Sequence, residues 1–334
     1  VNRTAADGGA HAPRSAHAWP AADAGHGHAA LLYADPAGML AATTPFLQAG
    51  LDAGDLTVLA LRPEMAELVG GALGERVGAV ESDVRLCLLG ARAPDAFTAV
   101  RRAVERSAAT GNGRLRVVGE PGLGRPDVDA REAVRFEAAV NSVLAGAPVW
   151  ALCLYDRQLL DETQVAQVVA THPQLAVGDA LLDNPRFREP ASVIRSLPVP
   201  RDPLERTPPV LAVDGATVLA ELRSRLRVAL VAAVADRALH EDLLLAVSEV
   251  AANAFRHGSP PVSARLWGDG RRLVCTITDS GRGFDDPLAG FRPAHGEDLG
   301  RGGMGLWLAR KLWDSVDLID GGRGLTVRMS TTLG

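Results

Sequence analysis

Lysine is almost missing from this 334-residue chain, in which Lys311 stands alone beside 34 arginines. That scarcity excludes one class of nucleotide site. A Walker A loop needs a Gly-Lys-Ser/Thr run, and Lys311 lies between Arg310 and Leu312. Cysteine is scarce too: Cys87, Cys153 and Cys275 sit far apart, each in an apolar, strand-like run. Three such residues make no disulfide framework, and buried core thiols in a reducing cytoplasm are expected. No apolar stretch approaches the ~18 residues of a membrane span. The start has no basic region followed by an apolar core, so no secretory signal is expected. Positive charge is not in excess, and a net charge of -5 speaks against a nucleic-acid binder held mainly by phosphate contacts. What is there suits a packed fold, with 47% hydrophobic and 22% charged residues.

The texture changes along the chain. Residues 1–25 are rich in Ala, Gly, His and Asp without periodicity and read as a flexible arm. From 26 to about 183, short apolar runs alternate with helical spacing. Strands are expected at 29–33, 56–61, 115–118 and 149–154, with helices over 36–53, 95–109 and 129–145. Continuous apolar strands between helices predict an α/β domain with a mainly parallel sheet covered on both faces. Residues 184–209 hold seven prolines and read as a helix-free linker. From 210 to 334 the order differs: helices over 217–234 and 241–257, strands at 262–267 and 272–278, a Gly/Asp-rich loop, a helix near 304–314, and strands at 316–319 and 325–330. Helices on one side of a mixed sheet predict an α+β two-layer sandwich.

Three segments of this second part carry chemistry. The first runs Ser248-Glu249-Val-Ala-Ala-Asn253-Ala-Phe-Arg-His257-Gly258, where Glu249 and Asn253 share a helix face. The second is Asp279-Ser-Gly281-Arg-Gly283-Phe284, directly after a strand, and the third is Gly300-Arg-Gly302-Gly303-Met304-Gly305-Leu306, which opens a helix. An amide oxygen at Asn253 can hold Mg²⁺, a cation that takes hard oxygen ligands while bridging phosphates. Glu249 can accept a proton from an attacking hydroxyl. A carboxylate at Asp279 can accept from the adenine amino group and would repel the guanine carbonyl. Gly281 and Gly283 let the backbone pass close to a base or ribose, and amides near Gly303 to Gly305 can cradle phosphates.

These segments resemble the N, G1 and G2 boxes of the GHKL ATPase superfamily, whose fold is the Bergerat sandwich. The closer resemblance is to its anti-sigma-factor kinase branch, of the RsbW and SpoIIAB type, over residues 210–334. That resemblance implies ATP and Mg²⁺, with Glu249 as general base, Asn253 as Mg²⁺ ligand, Asp279 as adenine reader and Thr326 near adenine. Further upstream, His28-Ala-Ala-Leu-Leu-Tyr33, Gly119-Glu120-Pro121 and Cys153-Leu-Tyr-Asp156 resemble the MEDS sensory domain. The whole layout is similar to the RsbA family of anti-sigma regulatory proteins. It implies a cytoplasmic serine kinase that acts on an anti-anti-sigma (STAS-type) protein, binds a sigma factor and answers to a small-molecule effector. Neither nucleic acid nor membrane is implied as a partner, and a homodimer is allowed.

Other signals are weaker. Gly300, Gly302 and Gly305 spell a dinucleotide fingerprint, but no strand precedes them; the stretch 285–299 instead suits a mobile lid. His240-Glu241-Asp242-Leu243 resembles a phospho-accepting box, yet lacks a separate helical hairpin and reads as an exposed helix start. His26, His28, Cys153 and His172 are ligand types for a metal or small effector, but their separations set no geometry and structural roles are expected. A non-catalytic nucleotide-dependent binding module and a histidine-kinase-like protein remain alternatives.

Overall fold

A computed structural model describes residues 25–125, 128–281, 283–292, 303–322 and 324–333, with the backbone of Ala16–His17. The strands in chain order are β1 (Ala16–His17), β2 (Gly27–Tyr33), β3 (Leu56–Ala60), β4 (Glu81–Ser82), β5 (Leu115–Gly119), β6 (Val149–Asp156), β7 (Gln174–Val177) and β8 (Ala180–Asp183). They form one sheet in the order β1-β8-β7-β2-β6-β5-β3-β4. The pairings from β7 through β4 are parallel; β8 runs antiparallel to both β7 and β1.

Helices cover both faces. On one side α1 (Pro36–Ala53) and α2 (Pro63–Leu73) pack Met39, Phe46, Leu47 and Val69 against the strands. On the other lie α3 (Ala93–Thr110), α4 (Ala130–Val143), α5 (Glu162–Thr171) and α6 (Pro190–Ser196), around Phe97, Phe136 and Val168. This double cover explains why β5 is buried at every position.

The remaining strands form a second sheet, β12-β13-β11-β10-β9, from β9 (Leu211–Ala216), β10 (Val262–Gly268), β11 (Arg272–Thr278), β12 (Ser315–Asp320) and β13 (Leu325–Thr332). One face packs on α7 (Leu219–Ala233), α8 (Arg237–Arg256) and α9 (Gly303–Leu312) around Leu226, Leu243, Val247 and Trp313. The two-layer sandwich is as expected, but each of its pairings is antiparallel, so the sheet is not mixed.

Three further expectations change. The proline-rich stretch 184–209 is not helix-free. Pro190 opens α6 and Pro203 opens a 3₁₀ turn over Pro203–Arg206, each in the first turn, where a missing N–H costs nothing. Their caps are local: Glu189 accepts from Ala191 and Ser192, and Asp202 forms a capping box with Glu205. Of the expected arm, Ala16–His17 adds an edge strand to β8, and most of the rest lies outside the described residues. The run around Cys87 is a 3₁₀ turn (Val84–Leu86) rather than a strand, although all three cysteines are buried as expected.

Candidate nucleotide site

One cavity gathers parts of all three sequence segments. Asn253 and Gly258 come from α8 and its end, Asp279 from the exit of β11, Gly283 and Phe284 from the following loop, and Leu306 from α9. Asp279 is the buried acid of the group, 7% exposed. Its Oδ1 accepts the N–H of Gly281 at 2.7 Å.

Glycines surround this carboxylate for a steric reason. A Cβ on Gly258 would stand 2.4 Å from Asp279 Cγ, and one on Gly324 would stand 1.9 Å from the Asp279 carbonyl oxygen. No larger residue fits without moving Asp279. Gly283 has a positive φ of 85°, which a side chain would strain.

Asn253 lies on the cavity wall, half-buried on α8. The first turn of α9, which contains Gly303, Met304 and Gly305, comes so close that a Cβ on Gly305 would stand 2.3 Å from Asn253 Nδ2. Leu306, next in that turn, lines the cavity. Gly300 and Gly302 of the same box lie outside the described residues, as do residues 293–299 of the expected lid. Glu249 is one helical turn before Asn253. Its side chain is 38% exposed, with Oε1 3.7 Å from Nη2 of Arg223 on α7.

Of the expected site residues, Asn253, Asp279, Gly283 and Leu306 line the cavity; Thr326, like Glu249, does not. Side chains alternate along a strand, and its neighbours Leu325 and Val327 line the cavity. The Thr326 hydroxyl instead meets that of Thr278 across the ladder at 2.8 Å. Leu325, which sequence reasoning passed over, holds the cavity wall. His240 also differs from expectation: it is half-buried in the first turn of α8, and its Nδ1 makes no hydrogen bond.

The site is tied to the eight-stranded sheet by contacts that no local motif announced. Phe291 follows the Gly283 loop and is buried among Phe97 and Phe136 of α3 and α4, with Arg310 of α9 stacked on its ring at 4.2 Å. Thus the first part of the expected lid is anchored in the neighbouring core. Beside it lies a buried ionic network. Asp317 of β12 accepts from Arg131 at 3.0 Å and from Arg328 at 2.6 Å, and it also pairs with Arg135. Glu132 takes the Val316 N–H at 3.1 Å, and Arg328 reaches Glu205 at 2.8 Å. Burial alone would raise the Asp317 carboxyl, but Arg135 and Arg131 outweigh it and hold it below the usual carboxylate range. Burial pushes the Arg310 guanidinium down to about 10, with Glu132 opposing.

Two families account for this architecture. Residues 27–173 match the MEDS model, the methanogen/methylotroph, DcmR sensory domain. Residues 214–331 match the histidine kinase-like ATPase domain. The chain joins a MEDS domain to a histidine kinase-like ATPase domain. The ATPase domain is also similar to curated relatives named serine-protein kinase RsbW. That of Bacillus subtilis is 36% identical over 104 residues, covering 28% of this chain and 64% of the relative. The Bacillus velezensis protein matches to the same extent, and that of Bacillus licheniformis is 37% identical over 106 residues. The chain thus spans 64% of the length of the first two relatives. Among the described residues, no helix is long and apolar enough to cross a membrane.

Proposed function

We propose that this chain is an ATP-dependent serine kinase of the anti-sigma-factor type, with its MEDS domain as the sensor. Its substrate is an anti-anti-sigma protein of STAS type, and its alternative partner is a sigma factor. Domain boundaries at 26–183 and 210–334, with 184–209 between them, suit both family matches.

The cavity fits adenine nucleotide with Mg²⁺. Asp279 is buried on its wall among glycines that hold it in place. Asn253 presents an amide beside the first turn of α9, whose backbone N–H groups suit phosphate. When bound, the magnesium ion supplies charge neutralisation at the phosphates. Asn253 is then its protein ligand, Asp279 accepts from the adenine amino group, and Glu249 accepts the proton of the incoming serine hydroxyl. Glu249 is exposed enough to meet a protein substrate. A side chain buried in the cavity would not be.

Signal passes between the domains through α4 and Phe291. Helix α4 carries Arg131, Glu132 and Arg135 onto β12, and Phe291 links the Gly283 loop to the MEDS core. Coupling of this kind is reciprocal: an effector that changes nucleotide affinity has its own affinity changed equally.

The observation that carries this reading is the convergence of Asn253, Asp279, Gly283 and Leu306 on one cavity, in a domain similar to RsbW. Incubation with labelled ATP and candidate anti-anti-sigma proteins, followed by acid, tests it. Label on serine survives acid; label on histidine does not. Glu249→Gln should bind ATP as wild type does and transfer roughly 100-fold more slowly or worse. Undiminished transfer removes Glu249 from the chemistry.

A further inference from the structure

The MEDS domain contains a second constellation, remote from the nucleotide cavity. His28 on β2, Cys153 on β6, Glu137 on α4 and His172 after α5 converge, and their ligand atoms all lie within 4.8 Å of one another. All four residues are buried, His28 and His172 completely. His28 Nε2 is 3.0 Å from Glu137 Oε2 and 3.5 Å from Cys153 Sγ, and His172 Nε2 is 2.9 Å from the same Glu137 oxygen. The sequence marks His28, Cys153 and His172 as ligand types but favours structural roles for them; Glu137 is not marked, and His26 stands apart from the set.

The tautomers follow from the surrounding bonds. Asn141 donates through Nδ2 to the carbonyls of Glu137 at 3.1 Å and Thr171 at 2.7 Å, which fixes its amide. Its Oδ1 therefore accepts, and His28 Nδ1 donates to it at 3.1 Å. His172 Nδ1 likewise donates to the Val168 carbonyl at 2.8 Å. In a neutral ring the proton then sits on Nδ1; His172 Nε2 is left with a lone pair, whereas His28 Nε2 hydrogen-bonds Glu137 Oε2 and donates to it when protonated. The two Nε2 atoms, the carboxylate and the sulfur thus converge on one point. The His172 contact is close, yet it lacks the alignment of a hydrogen bond.

Such a group needs positive charge at its centre. A proton on His28 Nε2 supplies it to Glu137 alone and leaves His172 Nε2 unpaired. A single divalent ion satisfies all four ligands. Two imidazoles, one thiolate and one carboxylate suit zinc, which takes tetrahedral N, S and O ligands at about 2.0–2.3 Å. Ligands at those lengths stand roughly 3.3–3.8 Å from one another, so the 2.9 and 3.0 Å pairs must open slightly, and the wider separations, within 4.8 Å, close slightly, to admit the ion. Asn141 and the Val168 carbonyl orient the two rings from behind, as outer partners of metal-bound histidine do.

We propose that His28, Glu137, Cys153 and His172 form a zinc-class metal site in the MEDS domain. The experiment is cobalt(II) titration of the full chain after chelator treatment. One equivalent is expected to bind, with a thiolate-to-cobalt charge-transfer band in the near ultraviolet. Cys275→Ser, in the ATPase domain, should keep the band and Cys153→Ser should lose it. Asn141→Ala retains every ligand and should weaken binding about 10- to 100-fold, a second readout should Cys153→Ser fail to fold. Wild-type protein that takes up no cobalt overturns the site. So does a band that persists in folded Cys153→Ser.

Discussion

The two candidate sites are built on opposite principles. The nucleotide cavity has a buried wall that includes Asp279 and Leu306 and an exposed side formed by His257, Gly283 and Phe284, so a ligand can enter and leave. The histidine–cysteine cluster is closed, its rings are held from behind, and none of its four residues is a glycine. One site is suited to exchange, the other to retention. Between them runs α4, which offers Glu137 and Asn141 to the cluster and Arg131, Glu132 and Arg135 to the ATPase domain. One helix thus touches both the cluster and the ATPase domain, which is the physical basis of the coupling proposed above.

Breaking that joint should have the largest effect. Asp317→Ala leaves Arg131, Arg135 and Arg328 without their shared carboxylate, and removing one partner from a buried ionic group costs about 3–5 kcal/mol. A matching fall in urea resistance is expected. The pH dependence has a definite sign. The Asp317 pKa is depressed by folding, so its contribution is complete above the ordinary value of about 3.9 and is lost as pH falls through the lower folded value. The gap between wild type and Asp317→Ala should be flat from pH 7 to 5 and should narrow below about 4. A gap that narrows already near neutrality would assign the network's strength to another group.

An intermediate effect is expected at Asp279, the proposed reader of the base. An ionised Asp279 only accepts hydrogen bonds, matching the adenine amino group and opposing the guanine carbonyl. Asp279→Asn should reduce the preference for ATP over GTP by about five- to a hundred-fold, the equivalent of about 1–3 kcal/mol. Competition between the two nucleotides reads this ratio directly. An unchanged ratio would mean that Asp279 shapes the cavity without reading the base. The smallest effect belongs to the rim. Arg195 pairs with Asp285 at 2.8 Å, but Asp285 is 92% exposed. Arg195→Ala should cost no more than about 1 kcal/mol in the same urea measurement. A larger loss would show that the Gly283 loop depends on this contact as much as on Phe291.

Legibility in the sequence followed the range of each interaction. Glu249, Asn253, Asp279 and the glycines lie in short segments whose spacing alone suggests their use, and the long helices α1, α7 and α8 have clear apolar periodicity. Thr326 is not on the cavity wall, because alternation along β13 presents Leu325 and Val327 there instead, a phase that the sequence does not reveal. Strand β9 was passed over because its apolar run ends in Asp214 and Gly215. Helix α5 was missed despite a local signal, the Asp161/Gln164 capping box. Glu137 and Asp317 could not be read at all: the first lies 109 residues from His28 and the second 182 from Arg135. Only the folded chain brings these partners together.

The central claim is that the cavity beside α8 holds Mg·ATP through Asn253. Calorimetry of wild type and Asn253→Ala, each with Mg·ATP and with adenosine, tests it most directly. The account predicts a loss of Mg·ATP affinity of at least about tenfold, the worth of one ligand at about 1.4 kcal/mol, with adenosine binding nearly unchanged. Equal losses for both ligands, or no loss for Mg·ATP, would contradict it.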